Sequence, residues 1–105
     1  MSVTLFIDTS QVNTAKVAVE FDGKRHEKVS ESKIVKSQMV LPLIEELLKE
    51  HNINFSDITS IQVETGPGSF TGLRVGATVA NALGYLLDIP VNGEKAIVTP
   101  MYSRI

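Results

Sequence analysis

Glu64-Thr65-Gly66-Pro67-Gly68-Ser69-Phe70-Thr71-Gly72-Leu73-Arg74 joins a β-branched run, Ile58 to Glu64, to a long apolar segment, Leu73 to Leu87. A strand that enters a glycine-rich turn and leaves as a helix exposes backbone N–H groups at the helix start, where anions are favoured. The spacing argues against the two common nucleotide-binding versions. The dinucleotide fingerprint needs glycines at its first, third and sixth positions. Gly66 and Gly68 fit, but the sixth position is Thr71 and Gly72 falls one residue late. The Walker phosphate loop needs Gly-Lys-Ser/Thr at the helix entrance, and no lysine lies between Glu64 and Asn81. The stretch is a strand–turn–helix with a rarer purpose.

Upstream, Val3, Leu5 and Ile7 alternate with Thr4 and Phe6 in a strand that ends at Asp8. Ala15 to Phe21 alternates again, with Val17, Val19 and Phe21 on one face. Asp22-Gly23 is a strong short hairpin signal, so Lys24 to Val29 is the polar return strand. Ser37 is positioned to cap a helix in which Val40, Leu43, Ile44, Leu47, Leu48 and His51 keep helical spacing. Pro42 sits near its first turn, where a missing N–H costs least. Asn52 is suited to ending it, since Asn tolerates the left-handed conformation. Downstream, Ile89-Pro90-Val91 starts a fifth strand, Asn92-Gly93-Glu94 turns the chain, and Ile97 to Tyr102 is a last extended segment. The order βββαβαβ predicts an α/β fold, a mixed sheet with two long helices. It resembles one lobe of the actin-like (ribonuclease H-like) ATPases.

A chain of 105 residues is one small domain whose core is modest, so a partner could add apolar burial. Hydrophobic residues make up 43%, which argues against wholesale disorder. A net charge of −2 argues against a strongly electrostatic binder of nucleic acid or membrane. The absence of cysteine excludes disulfides, thiolate zinc sites and cysteine nucleophiles. Met1 to Leu5 shows neither a charged n-region nor a long apolar h-region, so no signal peptide is expected. The apolar run from Ala77 to Leu87 is too short to span a bilayer. A cytoplasmic protein is the expectation.

The second helix has two stripes. Val75, Val79, Ala82 and Leu86 form an apolar one; Gly72, Gly76, Ala80 and Gly84 form a ridge of small residues spaced by four. Each interior glycine costs about 1 kcal/mol against alanine, a cost tolerated where something packs very closely. Such spacing lets two backbones approach. The ridge packs either on the chain's own sheet or first helix, or on a helix from another chain. A helix apolar nearly all round is buried nearly all round, and one sheet covers one face. On the second alternative, Gly76→Leu or Gly84→Leu breaks a complex while the fold persists.

The chemical candidates are few. Asp8-Thr9-Ser10 ends a buried strand, where actin-like ATPases place metal and phosphate contacts; the plain alternative is a turn. Glu64 ends the fourth strand, near enough in order to pair with Asp8 around a cation. His26 and His51 lack ligand spacing, so no metal site is expected. No histidine stands near Ser69 or Thr71, which satisfy helix-start amides rather than act as nucleophiles. Arg74, close to a helix N-terminus, is unfavourable to the dipole and is free to answer a carboxylate or a partner.

Ile7-Asp8-Thr9-Ser10, Gly66 to Gly76, and Ser37 with Leu41-Pro42-Leu43-Ile44 together resemble the bacterial TsaB (YeaZ) family. The resemblance covers nearly all of Thr4 to Val91. It implies an actin-like fold related to the glycoprotease (M22) proteins. It also implies a non-catalytic scaffold role in making N6-threonylcarbamoyladenosine (t6A) in tRNAs that read ANN codons. The main implied partner is the catalytic subunit TsaD, with the ATPase TsaE joining the pair and tRNA engaged indirectly. The implied contact is a helical bundle built from the two helices, with TsaD or with a second copy. On this chain it falls on Val40, Leu43, Ile44, Leu47, Gly72, Gly76, Ala80, Leu83 and Gly84. Asp8, Thr9 and Ser10 are then a candidate vestigial phosphate loop, with no catalytic residue, metal or cofactor. An ATP-binding or peptidase-like enzyme and a self-associating homodimer are the alternatives. The sequence departs from the family where Lys36-Ser37-Gln38 replaces His-Ser-Glu, and where a second lobe is missing. Pro100-Met101-Tyr102-Ser103-Arg104 resembles the family's C-terminal Pro-x-Tyr-x-Arg. The expectation is a single lobe, residues 1–105, produced by a natural deletion that joins it to that terminal segment.

Overall fold

The alternation of apolar residues early in the chain becomes β1 (Thr4–Asp8), flanked on both sides in a four-stranded sheet of order β3-β2-β1-β4. The computed structural model describes residues 2–31 and 36–95. β2 (Thr14–Phe21) runs antiparallel to β1 with Leu5 opposite Val19 and Ile7 opposite Val17. β3 (Lys24–Glu31) returns along β2. The turn between them is held by Asp22 (φ 53°) and Gly23 (φ 73°), the two left-handed positions that an Asp-Gly hairpin supplies.

α1 (Lys36–Glu50) crosses to β4 (Ser60–Val63), which lies parallel to β1 with Leu5 opposite Ile61. A single 3-10 turn at Phe55–Asp57 precedes β4, and Asn52 (φ 55°) takes the left-handed conformation just past α1. α2 (Phe70–Leu87) follows β4. One face of the sheet supplies Leu5, Ile7, Val17, Val19, Ile61 and Val63 to a core shared with Val40, Ile44 and Leu47 of α1 and Ala80 and Leu83 of α2. On the other face the Arg25 guanidinium lies 4.1 Å above the Phe6 ring, and Ala18 beneath them is buried. Lys28 donates to Glu50 at 2.6 Å and ties β3 to the end of α1. That hydrogen bond raises the Lys28 pKa. Its small, screened contribution is present below the ordinary lysine range and is lost as pH rises through the raised value.

Three local expectations change. Ser37 lies inside the first turn of α1 rather than ahead of it, and Pro42 falls in the helix interior. There the proline removes one backbone bond, to the carbonyl four residues earlier. The fifth strand shrinks to a bridge, Val91 parallel to Ile61, and Ile97 to Tyr102 lies outside the described residues. The strand is cut short because Asn92 turns left-handed (φ 52°) and its side chain takes the place of a strand residue. Its Oδ1 accepts from Val63 N at 2.8 Å and its Nδ2 donates to Val63 O at 3.1 Å. Asn92→Ala leaves both backbone groups of Val63, a buried residue, without these partners. A loss of about 1–3 kcal/mol is expected, read as a lowered urea midpoint with an unchanged slope.

Candidate partner interface

The direction of α2 is set at its first residues. Ser69 caps the helix, its Oγ accepting from Gly72 N at 3.2 Å. The Ser69 N–H donates to Ser10 O at 2.7 Å, which pins the cap to the end of β1. Thr9, fully buried, donates its hydroxyl to Gly72 O. Asp8 Oδ1 accepts from both the backbone N and the hydroxyl of Ser10, at 2.9 and 2.6 Å. A Cβ at Gly68 would stand 2.7 Å from the Ser10 Cβ, so the two loops touch at backbone distance. Asp8, Thr9 and Ser10 thus bond to their own chain and aim a helix.

The small-residue ridge faces inward. A Cβ on Gly76 would collide with Thr9 Oγ1 and press on Val63 and Ile7. One on Gly84 would stand 2.5 Å from Val91 Cγ2. Gly72 and Ala80 are buried as well. The glycines let the helix backbone settle onto β1, β4 and Val91. Val40, Leu43, Ile44, Leu47 and Leu83 lie in the same core. Within the single chain, the residues expected at the partner contact pack in the core against the sheet.

The outward side of α2 carries the other stripe. Tyr85 and Leu86 are 86% and 74% exposed, Ala82 is exposed, and Val75 and Val79 are half-buried. Thr71, Arg74, Val75, Thr78 and Val79 line an open concavity of about 300 Å³. The stripe is visible in the sequence, but helical period alone does not say that it faces outward. Size was the available signal: glycines mark where the sheet approaches, and bulky aliphatics mark the far side.

One further grouping escaped sequence reasoning, and one expected pair is brought together. His26 and His51 stack with centroids 4.1 Å apart, and Phe21 lies beside both at 5.4 and 6.1 Å. They are distant in sequence and meet only because β3 folds back beside the end of α1. Asp8 and Glu64 line one concavity, about 300 Å³, on the open sheet face with Phe6, Lys16 and Arg25. Among the described residues no group of three or more His, Cys, Asp or Glu is arranged to hold a metal ion. None of their helices is long and apolar enough to cross a membrane.

An antiparallel three-strand meander, a parallel fourth strand and two helices on one face define an actin-like lobe, with a tight turn leading from β4 into α2. Residues 30–99 match the family described as TsaD: tRNA N6-adenosine threonylcarbamoyltransferase. The chain belongs to this family, on its TsaB (YeaZ) side. It is 33% identical over 95 residues to the tRNA threonylcarbamoyladenosine biosynthesis protein TsaB of Bacillus subtilis, covering 90% of this chain and 42% of that protein. The Haemophilus influenzae TsaB is 32% identical over 87 residues, 83% of this chain and 36% of its own length. YeaZ from Pseudomonas aeruginosa superposes with a TM-score of 0.81 at 32% identity, over 87% of this chain and 42% of that one. The chain therefore spans less than half the length of these relatives.

Proposed function

We propose that this lobe is a non-catalytic scaffold in the formation of t6A on tRNA. It binds a TsaD-type catalytic subunit through a helical bundle, with a TsaE-type ATPase joining the pair and tRNA engaged indirectly, in the cytoplasm. The observation that carries the reading is the outward face of α2. Val75, Val79, Ala82, Tyr85 and Leu86 form an apolar strip on a helix whose opposite side is already buried in the chain's own core. Clustered exposed apolar residues mark an interaction surface, whereas scattered ones are ordinary. The internal bonding of Asp8, Thr9 and Ser10 supports a scaffold rather than an ATP-handling or peptidase reading.

The test is co-elution of the chain with its cognate transferase subunit on a sizing column. A complex is expected with the unaltered protein. Leu86→Glu, at an exposed position, should keep the melting temperature and weaken the complex at least about tenfold. A Leu86→Glu chain that binds as before removes this face from the interface. A chain that elutes only as a homodimer transfers the face to a second copy.

A further inference from the structure

The docking face holds one charge. Arg74 is the sole charged residue between Phe70 and Leu87, and it sits near the helix N-terminus, where a cation opposes the dipole. Its guanidinium lies over the Phe70 ring, 5.6 Å from the centroid. The ion pairs among the described residues join Arg25 to Glu27, Lys28 to Glu50 and Lys95 to Asp88; none of them engages Arg74. The side chain is exposed and borders the concavity lined by Thr71, Val75, Thr78 and Val79. The valines offer an apolar wall, and the two threonine hydroxyls and the guanidinium offer donors.

Resting on the docking face proposed above, we infer that its occupant is an apolar helix face carrying one carboxylate, seated in this concavity against Arg74. A glutamate or aspartate fits both halves of the lining: its methylenes lie on Val75 and Val79, and its oxygens meet the guanidinium, with Thr71 and Thr78 beside it. A guanidinium binds a carboxylate through two parallel hydrogen bonds, so the pair fixes register along a strip that is otherwise apolar and tolerant of sliding. A second copy of this chain fits less well. In a symmetric contact of α2 on α2 it offers no carboxylate, since Phe70–Leu87 contains none; its exposed Glu45 and Glu46 lie on α1.

The test titrates the whole chain with the cognate transferase subunit by calorimetry, at about 0.05 M and about 0.5 M NaCl. Arg74→Glu should weaken binding at least about tenfold, since it places like charges together, while the melting temperature stays the same. Arg74→Lys should keep part of the affinity. The unaltered chain should lose affinity with added salt, and Arg74→Ala should not. Lysine placed at one carboxylate of the partner's helices should restore binding to the Arg74→Glu chain. If Arg74→Glu binds within about twofold of the unaltered chain while Leu86→Glu does not bind, the carboxylate is overturned and the docking face stands. If both bind normally, or the unaltered chain fails to bind, the docking face falls and this inference with it. A homodimer that Arg74→Glu disperses, with no transferase complex, assigns the carboxylate to a second copy and overturns the inference as stated.

Discussion

Gly76→Leu is expected to unfold this chain. The new side chain would start inside the buried hydroxyl of Thr9, with Val63 and Ile7 closing the other directions. Thr9 cannot yield cheaply, because its hydroxyl is bonded to Gly72 O one helical turn away. Overpacking a tight seam costs about 1–3 kcal/mol or more. Breaking the buried bond adds about 1–3 kcal/mol. A domain of this size has only about 5–15 kcal/mol to lose. Gly76→Ala is the graded version: it gains about 1 kcal/mol of helix propensity but still meets Thr9, so a net loss is expected. Thermal denaturation followed by circular dichroism reads both. A fully folded Gly76→Leu chain would show that the ridge does not lie on the sheet. Loss of a partner complex by Gly76→Leu therefore cannot report on an interface, contrary to the expectation of a broken complex in an intact fold.

Leu47→Ala is expected to cost the isolated chain about 2–5 kcal/mol. Leu47 is 1% exposed and packs in the cluster of Leu5, Val19 and Ile44. In a domain of this size each kcal/mol shifts the melting temperature by about 4–8 °C, so the drop should exceed 8 °C. Were Leu47 part of a surface awaiting a partner, the isolated chain would melt unchanged. The pairing of this result with a silent Leu86→Glu melting curve separates core from contact face without any partner being present.

Much of the architecture was legible because local chemistry and global fold agree. Val3-Leu5-Ile7 and Val17-Val19 alternate as half-covered strands should, Asp22-Gly23 supplies its hairpin turn, and Ser69 caps α2. The fifth strand was misjudged because Asn92 mimics a strand with its side chain, a bond that no propensity anticipates. The site was half legible. Both stripes of α2 could be read off the helical period, but periodicity does not say which one meets the sheet. The Thr9 contact with Gly76 settles that, and it joins residues far apart in sequence. The His26–His51 stack was illegible for the same reason.

Asn92 has one more consequence. A strand at the margin of a sheet presents a row of open donors and acceptors to any passing chain. Along β4 that row is taken: Ile61 N bonds to Pro90 O, Asn92 N bonds to Ile61 O, and the Asn92 amide occupies both groups of Val63. Sheet growth by strand addition is thus terminated on that margin. The opposite margin, β3, is studded with Lys24, Arg25, Glu27 and Lys28, whose charges discourage stacking. One asparagine thus seals one border of the sheet, and mixed charge lines the other.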